Sequence, residues 1–509
     1  MMGFFDYLVM TIYLLILIGI GYWFSRAKNQ TMEKYLLGDR KILWWLSGIS
    51  YFMAMLSTIS LVSLPGEAFA HGVTMIVTSF LVPFATIGAF FLFIRFYFQA
   101  GKFTPYFYLE SRYDPRIRTL VAILFCMVRI TYLAIVLVAT TKIFEGAANW
   151  PSWATIFLIG CVTILYTTLG GFKATVWCDF LQFLILVGGL TLILYKCISS
   201  VPENVFEIVG YAFEHERGFE YFGDPRFFKL SPFIRLNFWL LLLSAITGPL
   251  FETSADQMGI QRLLSTSSYH ESKKTLLTHV FIAIPFTILF FFIGLAMFVF
   301  YSHNPTEGVT GDTALFRFVS TQMPTPLPGL IISAMLAAVL STIAAGINSL
   351  STVVTTDFYK RIFKPNSSDT EQVRFSRLST IIIGVLIVGI SLIIVTVNEH
   401  IGQTVMELSG MWLSMFLPII APIFLLGVTT RKLNGNNILT LAVISWFCTL
   451  IMVVWFVLSK HTDKPLSFMS IPIPSYAIMT LGGYIWALFS KPIDSKKIEN
   501  LTLWTLKKS

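Results

Sequence analysis

Charge is what this sequence lacks most. Only 12% of its 509 residues are Asp, Glu, Lys or Arg, against 55% hydrophobic, and soluble domains carry about twice that charged share. A water-soluble globular chain is excluded. Cysteine is also sparse: Cys126, Cys161, Cys178, Cys197 and Cys448 lie scattered within or at the ends of apolar runs. They have neither metal-ligand spacing nor the look of a disulfide framework. No H-E-x-x-H, no G-x-S-x-G and no glycine-rich loop before a phosphate-binding lysine is present, and loops are short. Hydrolase, metalloprotease and nucleotide-hydrolysing classes fall away with them. An enzyme is not expected.

What is there is length without polarity. Roughly thirteen apolar runs, each long enough to cross a hydrocarbon core of ~30 Å as a helix, cover the chain. They are 4–24, 42–67, 73–98, 117–145, 153–169, 175–198, 233–257, 275–301, 327–358, 376–397, 403–428, 437–459 and 468–490. The first is too long for a secretory signal and lacks a small-residue cleavage site, so it is expected to stay as a span. The class is an all-α polytopic membrane protein embedded in the lipid bilayer. With the N-terminus outside, the thirteen spans leave the C-terminus in the cytoplasm, and most of the 36 basic residues then lie inside. The net charge of +9 thus reports topology, not a nucleic-acid surface.

Polar residues within these runs are the functional candidates, because an ionisable group in lipid needs a cavity or a partner. Arg129 stands near mid-depth of 117–145. Positions three and four away are Phe125, Cys126, Tyr132 and Leu133, so its partner must be a ligand carboxylate or an acid on another helix: Asp179, Glu252 or Glu407. Asp179 follows the Gly170-Gly171 turn and reads either as an ion site or as an interhelical anchor. Ser57, Thr58 and Ser60 cluster in the second run between Gly48 and Pro65-Gly66. An unwound helix there would expose carbonyls to a cation; the alternative is that these hydroxyls bond their own helix. Ser341 and Thr342 carry the same ambiguity, with Ala337, Ala338, Ala344, Ala345 and Gly346 offering a small-residue packing stripe. The run 327–358 would be ~48 Å long at ~1.5 Å per residue, so it must tilt or protrude.

Three segments together resemble the sodium/solute symporter family: Gly170–Gln182, Asp256-Gln257 with Gln261-Arg262, and Met335–Asn348 leading into Asp357-Phe358-Tyr359. Gly48–Gly72, Arg129 with Gly146, and Glu271–Leu276 bring the likeness nearest to bacterial sodium/sialic acid symporters. The resemblance implies a LeuT-like core of two inverted five-helix repeats, each beginning with a discontinuous helix. The repeats would be 42–198 and 233–428, preceded by an extra helix and loop (1–41) and followed by C-terminal helices and a tail (429–509). It further implies a sodium site made by the carbonyls of Met53, Leu56 and Ala338 with the hydroxyls of Ser341 and Thr342. The solute would meet Ser57, Ser60 and Arg129, the last taking its carboxylate.

Two positions depart from the sialic acid pattern: Met55 stands where those symporters have Thr, and Ser79 where they have Gln. Relatives with a second sodium site place serines where this chain has Ala344 and Ala345, and a methyl group cannot ligate sodium. One coupled sodium is therefore expected, with Asp179 structural or a remnant of the second site. The expected activity is sodium-coupled uptake of a small organic anion such as sialic acid, by alternating access, in the inner membrane of a bacterium, with a monomer sufficing. The alternatives are a neutral sugar, proline or another small metabolite as cargo, or a sensor or channel on the same scaffold.

Overall fold

The computed structural model describes residues 3–26, 31–56, 58–100, 103–148, 150–234, 237–401, 405–460, 462 and 464–506. Helices account for 81% of it, as the composition demands. Backbone groups in hydrocarbon must bond within their own segment, and only helices and closed barrels do so. The principal elements are α1 (Phe4–Ser25), α2 (Trp44–Met55), α3 (Thr58–His71), α4 (Ile76–Ala100), α5 (Pro115–Ala148) and α6 (Ser152–Ser199). They continue with α7 (Phe238–Ser254), α8 (Gln257–Leu264), α9 (Tyr269–His303), α10 (Leu327–Val353), α11 (Asp369–Ile401), α12 (Val405–Ser414), α13 (Leu417–Thr429) and α14 (Gly435–Ser459). A last span occupies Phe468–Phe489.

Among the described residues, nine helices are long and apolar enough to cross a membrane, or twelve if each bent pair forms one span. The count differs from the thirteen expected because 153–169 and 175–198 run together as α6. At 48 residues α6 is more than twice as long as a bilayer crossing requires. It is interrupted at Gly171 (φ 63°, ψ −164°), a conformation confined to glycine. That is where the sequence placed its turn. A Cβ there would also lie 2.8 Å from the Tyr35 ring.

Among the described residues, three spans are broken. The pair Trp44–Met55 and Ser60–His71 bends by 61°, α7 and α8 by 54°, and Leu408–Ser414 with α13 by 42°. The second break has visible local causes: Pro249 lies within α7, Ala255 leaves helical geometry, and Asp256 N-caps α8 by accepting from the Met258 amide at 3.0 Å.

α10 is the axis of the molecule. Every residue from Ile331 to Val353 is buried, and α1, α2, α5, α6, α8 and α11 all pack against it. Small side chains permit that density: a Cβ on Gly189 of α6 would stand 2.5 Å from the Ala334 Cβ. Beyond Val353 the helix continues with π-helical geometry through Phe363. α1 is fastened to the axis through Asp6, which accepts from the Gly329 amide at 2.8 Å.

Candidate functional site

Serine and threonine in an apolar helix usually bond back to their own turn, and on α10 Ser333 and Thr352 do so, to the carbonyls of Gly329 and Asn348. Ser341 and Thr342 do not. The Ser341 hydroxyl donates across to Asp179 Oδ1 on α6 at 2.6 Å, and the Thr342 hydroxyl donates to the Leu56 carbonyl at 2.9 Å. Leu56 is the residue just past α2, in extended geometry (φ −78°, ψ 96°), so its carbonyl has left the helical ladder. Met53, Ala338, Ser341 and Thr342 are all fully buried, and Leu56 nearly so.

These oxygens suit a sodium ion. Each hydroxyl gives its proton to an acceptor and keeps lone pairs for a cation. The C-terminal end of a half-helix presents carbonyls and the negative end of the helix dipole. No group of three or more His, Cys, Asp or Glu side chains among the described residues could hold a metal ion. The donor set is one of hydroxyls and carbonyls.

Asp179 is also held from the other side. It accepts from the Ser50 hydroxyl at 2.5 Å and from Arg262 Nη2 at 3.2 Å, and both charged side chains are buried. Arg262 further donates to the Ser50 carbonyl (3.0 Å) and the Met258 carbonyl (2.9 Å). One network thus links α2, α6, α8 and α10. Sequence reasoning quoted Arg262 as a motif residue without a role and missed Ser50. The signal for Ser50 was its place on α2, one turn before Met53.

Arg129 finds its acid at the second break. Its Nε donates to Asp256 Oδ1 at 3.1 Å and its Nη2 to Asp256 Oδ2, with Asp256 fully buried and Arg129 6% exposed. The ion-pair partners expected from sequence were Asp179, Glu252 or Glu407; the structure corrects this to Asp256. Asp179 is engaged by Arg262, Glu252 forms no ion pair among the described residues, and the Glu407 side chain lies outside them. Tyr132 and Phe251 flank the guanidinium at 5.2 and 5.7 Å. Asp256, near the end of the apolar run 233–257, gains its position from the break itself.

The other expected solute residues are placed as follows. Met55, at the end of α2, packs against a buried cluster of Ala54, Met258 and Ala345. Ser60 on α3 and Ser79 on α4 are half-buried. Ser57 lies outside the described residues. Ala344 and Ala345 are completely buried.

A helical bundle around one buried axis, with broken spans offering carbonyls at one break and an N-terminus at another, defines a membrane transporter of the LeuT-like fold. A solved structure of a Na+-coupled sialic acid symporter, substrate-bound and outward-open, is similar over 97% of this chain and 99% of its own. Its TM-score is 0.86 at 25% identity. The chain belongs to the sodium:solute symporter family, whose profile matches residues 35–443, and is accordingly a multi-pass, sodium-coupled symporter and not an enzyme. The sodium/sialic acid symporter NanT of Aliivibrio fischeri is 27% identical over 513 residues, covering 100% of this chain and 98% of that protein. SiaT of Proteus mirabilis is 28% identical over 86% of each.

Proposed function

We propose that this symporter takes up a small carboxylate-bearing solute, a sialic acid being the best fit, driven by one sodium ion per solute. The observation that carries the sodium site is the meeting of Thr342 with the Leu56 carbonyl: one hydroxyl of the buried axis reaches the open end of a half-helix, while its neighbour Ser341 reaches Asp179 on α6. Met53 and Ala338 would add carbonyls. Arg129 supports an anionic solute, because its planar fork matches a carboxylate in two bonds. The names of the two relatives above support the sugar-acid class. The stoichiometry rests on Ala344 and Ala345, which carry no ligand atom, and on Arg262 already neutralising Asp179.

Sodium would order the join between α2 and α10, and the solute would complete it. The two repeats, 42–198 and 233–428, would rock about this site with the N-terminus outside and the C-terminus in the cytoplasm of a bacterium. The test is uptake of labelled N-acetylneuraminic acid into proteoliposomes. Uptake should follow an inward sodium gradient and be lost when Ser341→Ala and Thr342→Ala are combined. Uptake indifferent to sodium would refute the coupling. One observation favours a neutral cargo: Arg129 already has an acid. Arg129→Ala separates the two readings, since a neutral solute would still bind.

A further inference from the structure

Arg129 and Asp256 meet in the geometry an incoming carboxylate would need. Both oxygens of Asp256 lie on the guanidinium, buried from water, with the cation held between Tyr132 and Phe251. The rings fix the guanidinium whichever carboxylate it faces. Asp256, in contrast, has a second attachment: its Oδ1 accepts from the Met258 amide at the start of α8. If it leaves Arg129 it remains partnered, at the helix end where negative charge is favoured. Glu252, one turn earlier on α7, has no ion pair among the described residues, so two acids surround a single arginine.

We propose that Asp256 is a built-in competitor for the solute's carboxylate: it occupies Arg129 in the empty transporter and yields it on solute binding, retaining its cap on α8. This rests on the reading of Arg129 as the carboxylate site. A neutral sugar cannot displace a buried carboxylate from an arginine, so the exchange makes the transporter read charge as well as shape. It also links binding to movement, because the bond given up ties α5 to the 54° bend between α7 and α8. The carboxylate that arrives adds to a site already rich in acid, and the positive charge of sodium offsets it.

Asp256→Asn tests this directly. Asn keeps an N-cap acceptor for α8 and nearly the same volume but cannot compete as an anion. Binding of N-acetylneuraminic acid and of its methyl ester to purified protein in sodium would be measured by calorimetry. The variant should bind the acid ~10-fold or more tightly than the parent, since the empty state no longer holds Arg129 closed, and the ester with unchanged affinity. Its melting temperature without solute should fall and recover with the acid. If the parent binds the acid and Asp256→Asn binds it no better, the competitor role is overturned while the anion reading stands. If the parent binds no acid, both fall. Asp256→Ser, another uncharged capping side chain, substitutes if the Asn variant does not fold, under the same criteria.

Discussion

Asp179 was read from sequence either as an ion site or as an anchor, and its contacts show how one residue can touch both. Its carboxylate accepts a hydrogen bond from Ser341, a proposed sodium ligand, and a charge-assisted one from Arg262, which is not. Removing one member of a buried pair strands the other charge and costs about 3–5 kcal/mol. Asp179→Asn and Arg262→Gln should therefore each lower the melting temperature sharply in detergent. The double variant should lose much less than the sum, because the pair is already gone after the first change. Additive losses would mean that the two side chains do not stabilise one another. The two hydroxyls were legible as polar groups in the wrong solvent. Which of them reached another helix was not, since Ser333 sits on the same helix and donates only to its own turn.

Among the elements, breaks matter more than helices. The sequence marked the break after Met55 through its cluster of hydroxyls, and the Gly170-Gly171 turn through its glycines, because both signals are local. The α7–α8 break follows Pro249 and has a cap residue at Asp256, but α7 and the start of α8 read as one continuous apolar run. Length and hydropathy do not register a bend of 54°. Gly171 supplies a test of this level. With φ 63° and ψ −164° and the Tyr35 ring against it, Gly171→Ala should destabilise the protein by about 1–3 kcal/mol. A thermal melt equal to the parent would show that α6 does not need the break. Gly248→Ala is the control, since a Cβ there meets nothing within 4 Å.

For the whole molecule the prediction is reciprocal coupling. If the proposed sodium and solute sites are joined through α2, α8 and α10 they must influence one another equally: when sodium raises solute affinity by some factor, solute raises sodium affinity by the same factor. Paired titrations would check this. A ratio of one sodium per solute should emerge from parallel flux measurements, and two would refute the argument from Ala344 and Ala345. Membrane class and helix content followed from hydropathy alone, because lipid as a solvent punishes unpaired backbone and exposed charge regardless of tertiary detail. The sequence by itself determined an all-helical membrane protein with two hydroxyls out of place on its longest apolar run. Only the tertiary structure decided which acid each arginine holds, Asp256 for Arg129 and Asp179 for Arg262. Ion pairs between helices depend on how breaks and crossings bring distant residues together, and no local pattern of side chains encodes that distance.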